Sequence, residues 1–108
     1  MSTQNSIHAI EMIHFDSSNL TGGYDVLNAD GLDEACYMLR ITNDSGTDVI
    51  VSYDGATNHD YVRTGEVLQI YAIPSYDRSN FKKGTIVYLV GNASQGYIYL
   101  SGYYKLPC

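Results

Sequence analysis

A chain of 108 residues has room for one domain and one modest core, because folding at this size buries roughly 60 to 70% of the surface the unfolded chain exposes. Apolar residues make up 44% and charged residues 17%, a balance that excludes the composition of disordered segments and predicts a single folded unit over 1–108, with residues 1–6 a flexible start. The net charge of −6, with six Lys and Arg spread from Arg40 to Lys105, offers no basic patch to neutralise phosphates, so no nucleic acid or anionic membrane is expected as a partner.

The opening MSTQNSIHAIEMIHF lacks the charged and unbroken apolar regions of a secretory signal, and no apolar run reaches the ~20 residues of a membrane span. A soluble product made in a cytoplasm is the expectation. Ile7 to Phe15 reads as the first strand, and apolar residues at both parities predict cover on both faces. Asp16 to Glu34 is dominated by turn formers and predicts a long loop, with Tyr24, Val26 and Leu27 a brief strand or one helical turn.

Ala35 to Thr42 resumes a strand, with Ala35, Tyr37, Leu39 and Ile41 on one face and Cys36, Met38 and Arg40 on the other. The turn NDSGTD then leads into Val49 to Tyr53, and the two strands are expected to pair as a hairpin. Asp54-Gly55 turns into a short stretch, His59 to Val62. Glu66 to Ile73 follows with mixed parity that predicts a strand buried on both sides. Pro74 ends it, and PSYDRSNFKKG predicts a second long loop before Thr85 to Val90. GNASQG makes the last turn, into Tyr97 to Tyr104.

Short strands separated by Gly, Asn, Asp and Ser clusters about every ten residues are the signature of an all-β fold. The simplest closed solution is an antiparallel β-sandwich of about seven or eight strands. In the last strand Ile98, Leu100 and Gly102 share the core parity, and Tyr97, Tyr99 and Tyr103 share the other. A tyrosine row combines apolar area with a hydrogen-bonding tip, so these three are the candidate protein–protein interface. Parity identifies faces but not neighbours, and a second sheet of the same domain is the other cover this row could have.

Candidate chemistry is sparse. Asp44-Ser45-Gly46-Thr47 matches the Asp-Ser/Thr-Gly-Ser/Thr signature of aspartic proteases, whose site needs two aspartates sharing a proton across a dimer axis. Thr42 and Asn43 precede Asp44 where that pattern has apolar residues, and a turn built from Asp, Ser and Gly accounts for the match. Asp54, Asn58, His59 and Asp60 bunch oxygen and nitrogen donors without the spacing of a calcium loop or a histidine pair, which favours an internally hydrogen-bonded turn. Lys82-Lys83-Gly84 reads as an exposed loop tip. Cys36 and Cys108 are a weak disulfide signal, and the plainer expectation is a buried thiol at Cys36 and a frayed end at Cys108. No catalytic residue, metal or cofactor is assigned.

Two stretches carry a resemblance: LRITNDSGTDVIVSYDGATNHDYV, Leu39 to Val62, and KGTIVYLVGNASQGYIYLSGYY, Lys83 to Tyr104. With their Arg-Ile-x-Asn, Ser-Tyr-Asp-Gly, His-Asp, Lys-Gly-Thr and closing Gly-Tyr-Tyr words, they resemble a family of small virion structural proteins of tailed bacteriophages. The likeness runs from Asp16 onward and includes GLDEACYMLRI, while Tyr71 to Gly84 departs from the pattern. It implies a non-enzymatic β-sandwich or jelly roll, made in the host cytoplasm and built in many copies into the virion. The implied role is a capsid decoration or cement protein contacting the major capsid protein, or a neck, tail or head-fibre-base component contacting other virion proteins. Homo-oligomers such as trimers at capsomer junctions are part of the same expectation. A carbohydrate-binding module, with Tyr97, Tyr99 and Tyr103 as an open platform, is the alternative of another class.

Overall fold

A computed structural model describes residues 8–71 and 81–104. Among the described residues nine strands run in chain order: β1 His8–Ala9, β2 Ile13–Asp16, β3 Asp25–Val26, β4 Met38–Ser45, β5 Val49–Ser52, β6 Asp60–Val62, β7 Val67–Tyr71, β8 Tyr88–Val90 and β9 Gly96–Tyr104. One sheet has the order β1-β9-β4-β7, with β2 also pairing β9, and the other has the order β3-β8-β5-β6. All pairings are antiparallel. Because β1 and β2 are two pieces of one edge, eight strand positions divide four and four. That interleaved order is a jelly roll, and the expected all-β sandwich is what forms.

The core lies between the sheets. Leu39 and Ile41 of β4, Val49 and Val51 of β5, Leu89 of β8, and Ile98 and Leu100 of β9 are all fully buried. The period of two built this layer, since each strand sends alternate side chains inward. Ile13, Phe15, Tyr53, Leu68, Phe81 and Tyr104 close its margins. Gly102 lies on the same inward parity, and the site admits only a small residue, since a Cβ there would meet Cys36 Sγ at 2.9 Å and Ile10 Cδ1 at 3.0 Å.

Four local expectations are corrected. β4 and β5 are not a hairpin: β4 pairs β7 and β9, whereas β5 pairs β6 and β8 in the opposite sheet. Both strands have one apolar face, and that pattern is the same whether two strands lie side by side or face each other across a core. The first strand is not covered on both faces; it breaks at 10–12, and Met12 stands 54% exposed beside buried Ile10. β7 is an edge strand and is not buried on both sides, with Val67 and Tyr71 on the solvent side. Cys36 is buried, as the plainer expectation had it, but not on the outer parity it was given beside Met38 and Arg40, because the strand proper begins only at Met38.

The 16–34 segment resolves into a 3-10 turn, Ser17–Asn19, capped by the Asp16 carboxylate accepting from Ser18 N at 3.0 Å, and the short β3. Buried Asn28 fastens the rest of that segment, donating to Thr85 O at 3.0 Å and accepting from Val87 N at 2.8 Å. The expected flexible start at 1–6, the tip of the second long loop at 74–80 and the Cys108 end lie outside the described residues.

Cys36 is a free thiol with no exposed surface. Burial, with the Glu34 charge adding to it, pushes its pKa up to about 11, and its Sγ donates to Glu34 O at 3.4 Å. A thiol that stays protonated and sealed is a poor nucleophile. In a Cys108→Ser chain at pH 8, Cys36 is therefore expected to resist alkylation until the fold is opened by denaturant; stoichiometric labelling of the native chain within minutes would contradict this.

Candidate functional site

Residues paired across an antiparallel sheet share a face, so the register defines what the outer side of the β1-β9-β4-β7 sheet presents. Tyr97 lies between Asp16 and Asp44, and Tyr99 between His14 and Thr42, with Val67 beyond Thr42. Ser101 opposes Arg40, which opposes Gln69. Tyr103 lies between Ala9 and Met38, with Tyr71 beyond Met38. Parity thus placed the predicted row correctly: Ile98 and Leu100 fill the core, and Tyr97, Tyr99 and Tyr103 face away from the second sheet. Among the described strands, none of the second sheet lies on that side of the row.

The rings are arranged by their neighbours. Tyr97 and Tyr99 are 6.2 Å apart at 30°, and the His14 ring meets Tyr97 edge-on at 5.6 Å and 73°. Arg40 lies 5.7 Å from the centre of the Tyr103 ring, and its Nη2 donates to the Tyr103 hydroxyl at 2.9 Å. The guanidinium thus covers the middle of the face with a cation–π and hydrogen-bonded contact. Tyr97 is 41% exposed, Tyr71 61% and Val67 52%. The result is an aromatic and aliphatic surface with one cation at its centre and two carboxylates, Asp16 and Asp44, along one rim.

Sequence reasoning missed the β7 contribution and Arg40. Gln69 between two apolar pairs was the signal, since a single polar residue at that parity marks a face that is not core.

The other candidates resolve into structure. Asp44 is an exposed residue of β4 opposite Tyr97, while Ser45 and Asn43 beside it are buried and bonded to each other, Ser45 Oγ donating to Asn43 Oδ1 at 2.6 Å. In the 52–60 turn, Asp54 Oδ1 accepts from Ala56 N at 2.8 Å, Thr57 N at 2.9 Å and Ser52 Oγ at 3.0 Å. His59 Nδ1 accepts from Tyr53 N at 3.1 Å, its ring stacks on Tyr53, and its Nε2 is 3.9 Å from Asp54 Oδ2. Tyr53 donates to Asp60 at 2.7 Å and Tyr24 donates to Asn58 at 2.7 Å. Each of Asp54, Asn58, His59 and Asp60 thus has at least one internal hydrogen-bond partner, as a self-bonded turn requires. Among the described residues no group of three His, Cys, Asp or Glu is placed to hold a metal.

The Ala56 and Thr57 amides, helped by the Ser52 and Thr57 hydroxyls, hold the Asp54 carboxyl down at about 2. Asp16 and Asp48 are lowered in the same way, by the amides of Ser18 and Thr64. A folded-state pKa below the unfolded value of 3.8 means the contribution is complete above that value and is lost as pH falls toward 2. Thermal midpoints are therefore expected to fall between pH 4 and 2, and the gap between the parent and Asp54→Asn to narrow over that interval. A gap that stays constant down to pH 2 would remove Asp54 from the account.

No family model matches the chain, and no curated protein does. Among solved structures, a chain of the disulfide-linked pili of Bacillus endospore appendages aligns over 96% of this chain and 92% of its own length, at a TM-score of 0.50 and 16% identity. The chain is similar in fold to a pilus protein. At that identity the likeness concerns the arrangement of strands, and it extends over the whole sandwich, both sheets included.

Proposed function

We propose that this chain is a structural subunit of a bacteriophage particle, most specifically a decoration or cement protein that stabilises the head by protein contact. The observation that carries the reading is the outer face of the β1-β9-β4-β7 sheet, where Tyr97, Tyr99, Tyr103, Met38, Val67 and Tyr71 share one side with Arg40. Aromatic residues and arginine are the types that dominate contact energies, and a sheet keeps them in fixed geometry without loop ordering. The phage-like words of the sequence supply the setting, and a same-fold chain found in pili supports the use of such a sandwich as a repeating unit.

The mechanism is repeated burial. A specific contact removes about 1,200 to 2,000 Å² from water, and many copies acting together raise resistance to disassembly far beyond any single contact. The test is composition and position in purified particles from the host that encodes the chain, by quantitative mass spectrometry and gold labelling. Many copies on the head are expected, and labelling confined to the neck or tail would move the same structural role there. Absence from particles together with retention on a glycan surface would overturn the reading in favour of a sugar-binding module.

A further inference from the structure

β7 is the one long, uncharged edge among the described strands. Its five residues, Val67-Leu68-Gln69-Ile70-Tyr71, contain no Lys, Pro or carboxylate, although the chain as a whole carries −6. The other edges are blunted: β1 and β2 are interrupted at 10–12, β3 is two residues beginning with Asp25, and β6 is three residues beginning with Asp60. Natural sheets protect exposed edges by such devices, and β7 has none of them. Its sequence also reads as a strand buried on both sides, yet Val67 and Tyr71 are more than half exposed in the single chain.

The hydrogen-bond parity of this edge is fixed. Asn43 N donates to Glu66 O at 3.0 Å, so 43 and 66 form a bonded pair and, by alternation, so do 41 with 68 and 39 with 70. The peptide groups of Val67, Gln69 and Tyr71 therefore point away from β4, toward the side on which no described strand lies. We propose that they pair with β7 of a second copy, antiparallel across a two-fold axis through Gln69, joining two sheets into one. This deepens the structural-subunit reading, on which it rests for its place in a larger assembly.

The strand is complementary to itself in that register. Val67 faces Tyr71 of the second copy on the outer side, an aromatic and β-branched pair, Leu68 faces Ile70 on the inner side, and Gln69 faces Gln69. A slip of one residue would set outward peptide groups against inward ones. A slip of two would lose bonded pairs at the end. Because β7 is uncharged, two acidic chains can meet here without like charges at the seam, which is the charge match that favours a second copy over a strand from a basic partner. The joined sheet would also carry both tyrosine faces on one side, in the order Tyr103, Met38, Tyr71, then Val67, Thr42 and Tyr99 of the second copy.

The test uses the full chain in sedimentation over a hundredfold concentration range, with Gln69→Lys and Gln69→Cys in a Cys108→Ser background. Buried Cys36 is left in place. The parent is expected to shift from monomer to dimer, and Gln69→Lys, which sets two ammonium groups against each other, to remain monomeric with an unchanged circular dichroism spectrum and melting point. Gln69→Cys is expected to form a covalent dimer on mild oxidation, since bonded pairs bring Cα atoms to about 5.5 Å. A parent that stays monomeric or forms trimers, or a dimer that survives Gln69→Lys, would overturn the pairing. Particles that still incorporate a monomeric parent would sink this inference alone, whereas a β7 dimer absent from particles would sink the functional reading alone.

Discussion

Asn43→Ala is expected to be among the most destabilising single changes in the domain, by about 3 kcal/mol, although it removes only a short polar side chain. Asn43 has no exposed surface. Its Nδ2 donates to Thr47 O at 2.8 Å and Val62 O at 3.0 Å, and its Oδ1 accepts from Ser45 Oγ at 2.6 Å and Ser45 N at 3.2 Å. One amide thereby ties β4 of the first sheet to the 46–48 turn and to β6 of the second, at the corner where the chain crosses between sheets. Alanine leaves the Val62 carbonyl and the Ser45 amide without these partners in a sealed site, at roughly 1 to 3 kcal/mol for each group not rescued by water. For a domain of this length a 3 kcal/mol loss lowers the melting midpoint by roughly 10 to 20 °C, measurable by calorimetry. Asn43→Asp should not rescue it, because a carboxylate cannot donate to two carbonyls. A midpoint within 3 °C of the parent would show that the corner is held by something else.

The second large effect is on assembly and leaves the fold alone. Replacing Tyr97 and Tyr99 together by serine is expected to keep the melting midpoint within a few degrees, since both side chains lie on the outer face and neither contacts the core cluster. Incorporation into particles, or affinity for the isolated partner, should instead fall by about 10³-fold, on the basis of roughly 2 kcal/mol for each centrally buried tyrosine. β7 is untouched in this variant, so self-pairing through Gln69 should persist. Unchanged incorporation would exclude this face as the contact.

How much of this was legible in the sequence depended on which physical quantity the residues encode. Alternation encodes faces, and Ile98 and Leu100 against Tyr97, Tyr99 and Tyr103 gave the inner and outer sides of β9 without ambiguity. Alternation does not encode neighbours, so β4 and β5, each with an apolar inner face, looked like a hairpin while standing in opposite sheets. β7 misled for a different reason. Val67 and Tyr71 are apolar yet more than half exposed, and an apolar side at the surface has the same alternation as one turned to a core.

Polar residues were read less well than apolar ones. Asn43 was legible as a turn residue, as the end of the Arg-Ile-x-Asn word and as a departure from a protease pattern, but its buried role depends on Thr47, Ser45 and Val62 converging in space, which no local spacing reveals. The 52–60 cluster was more transparent, because Asp54 bonds amides two and three residues ahead, a contact that local sequence does specify. Arg40 sits on β4 sixty-three positions before its partner Tyr103, and only the strand register brings the two together.

The central claim is that the tyrosine face is a contact surface, and hydroxyl-radical footprinting of the chain free and in purified particles addresses it directly. Free in solution, Tyr97 and Tyr71 should be modified readily, as should Tyr61 and Tyr24 on the strands and loops of the other sheet, all of them exposed. In particles, the account predicts strong protection of Tyr97 and Tyr71 with Tyr61 and Tyr24 still reactive. Equal modification of Tyr97 in both states, or protection confined to Tyr61 and Tyr24, would contradict it.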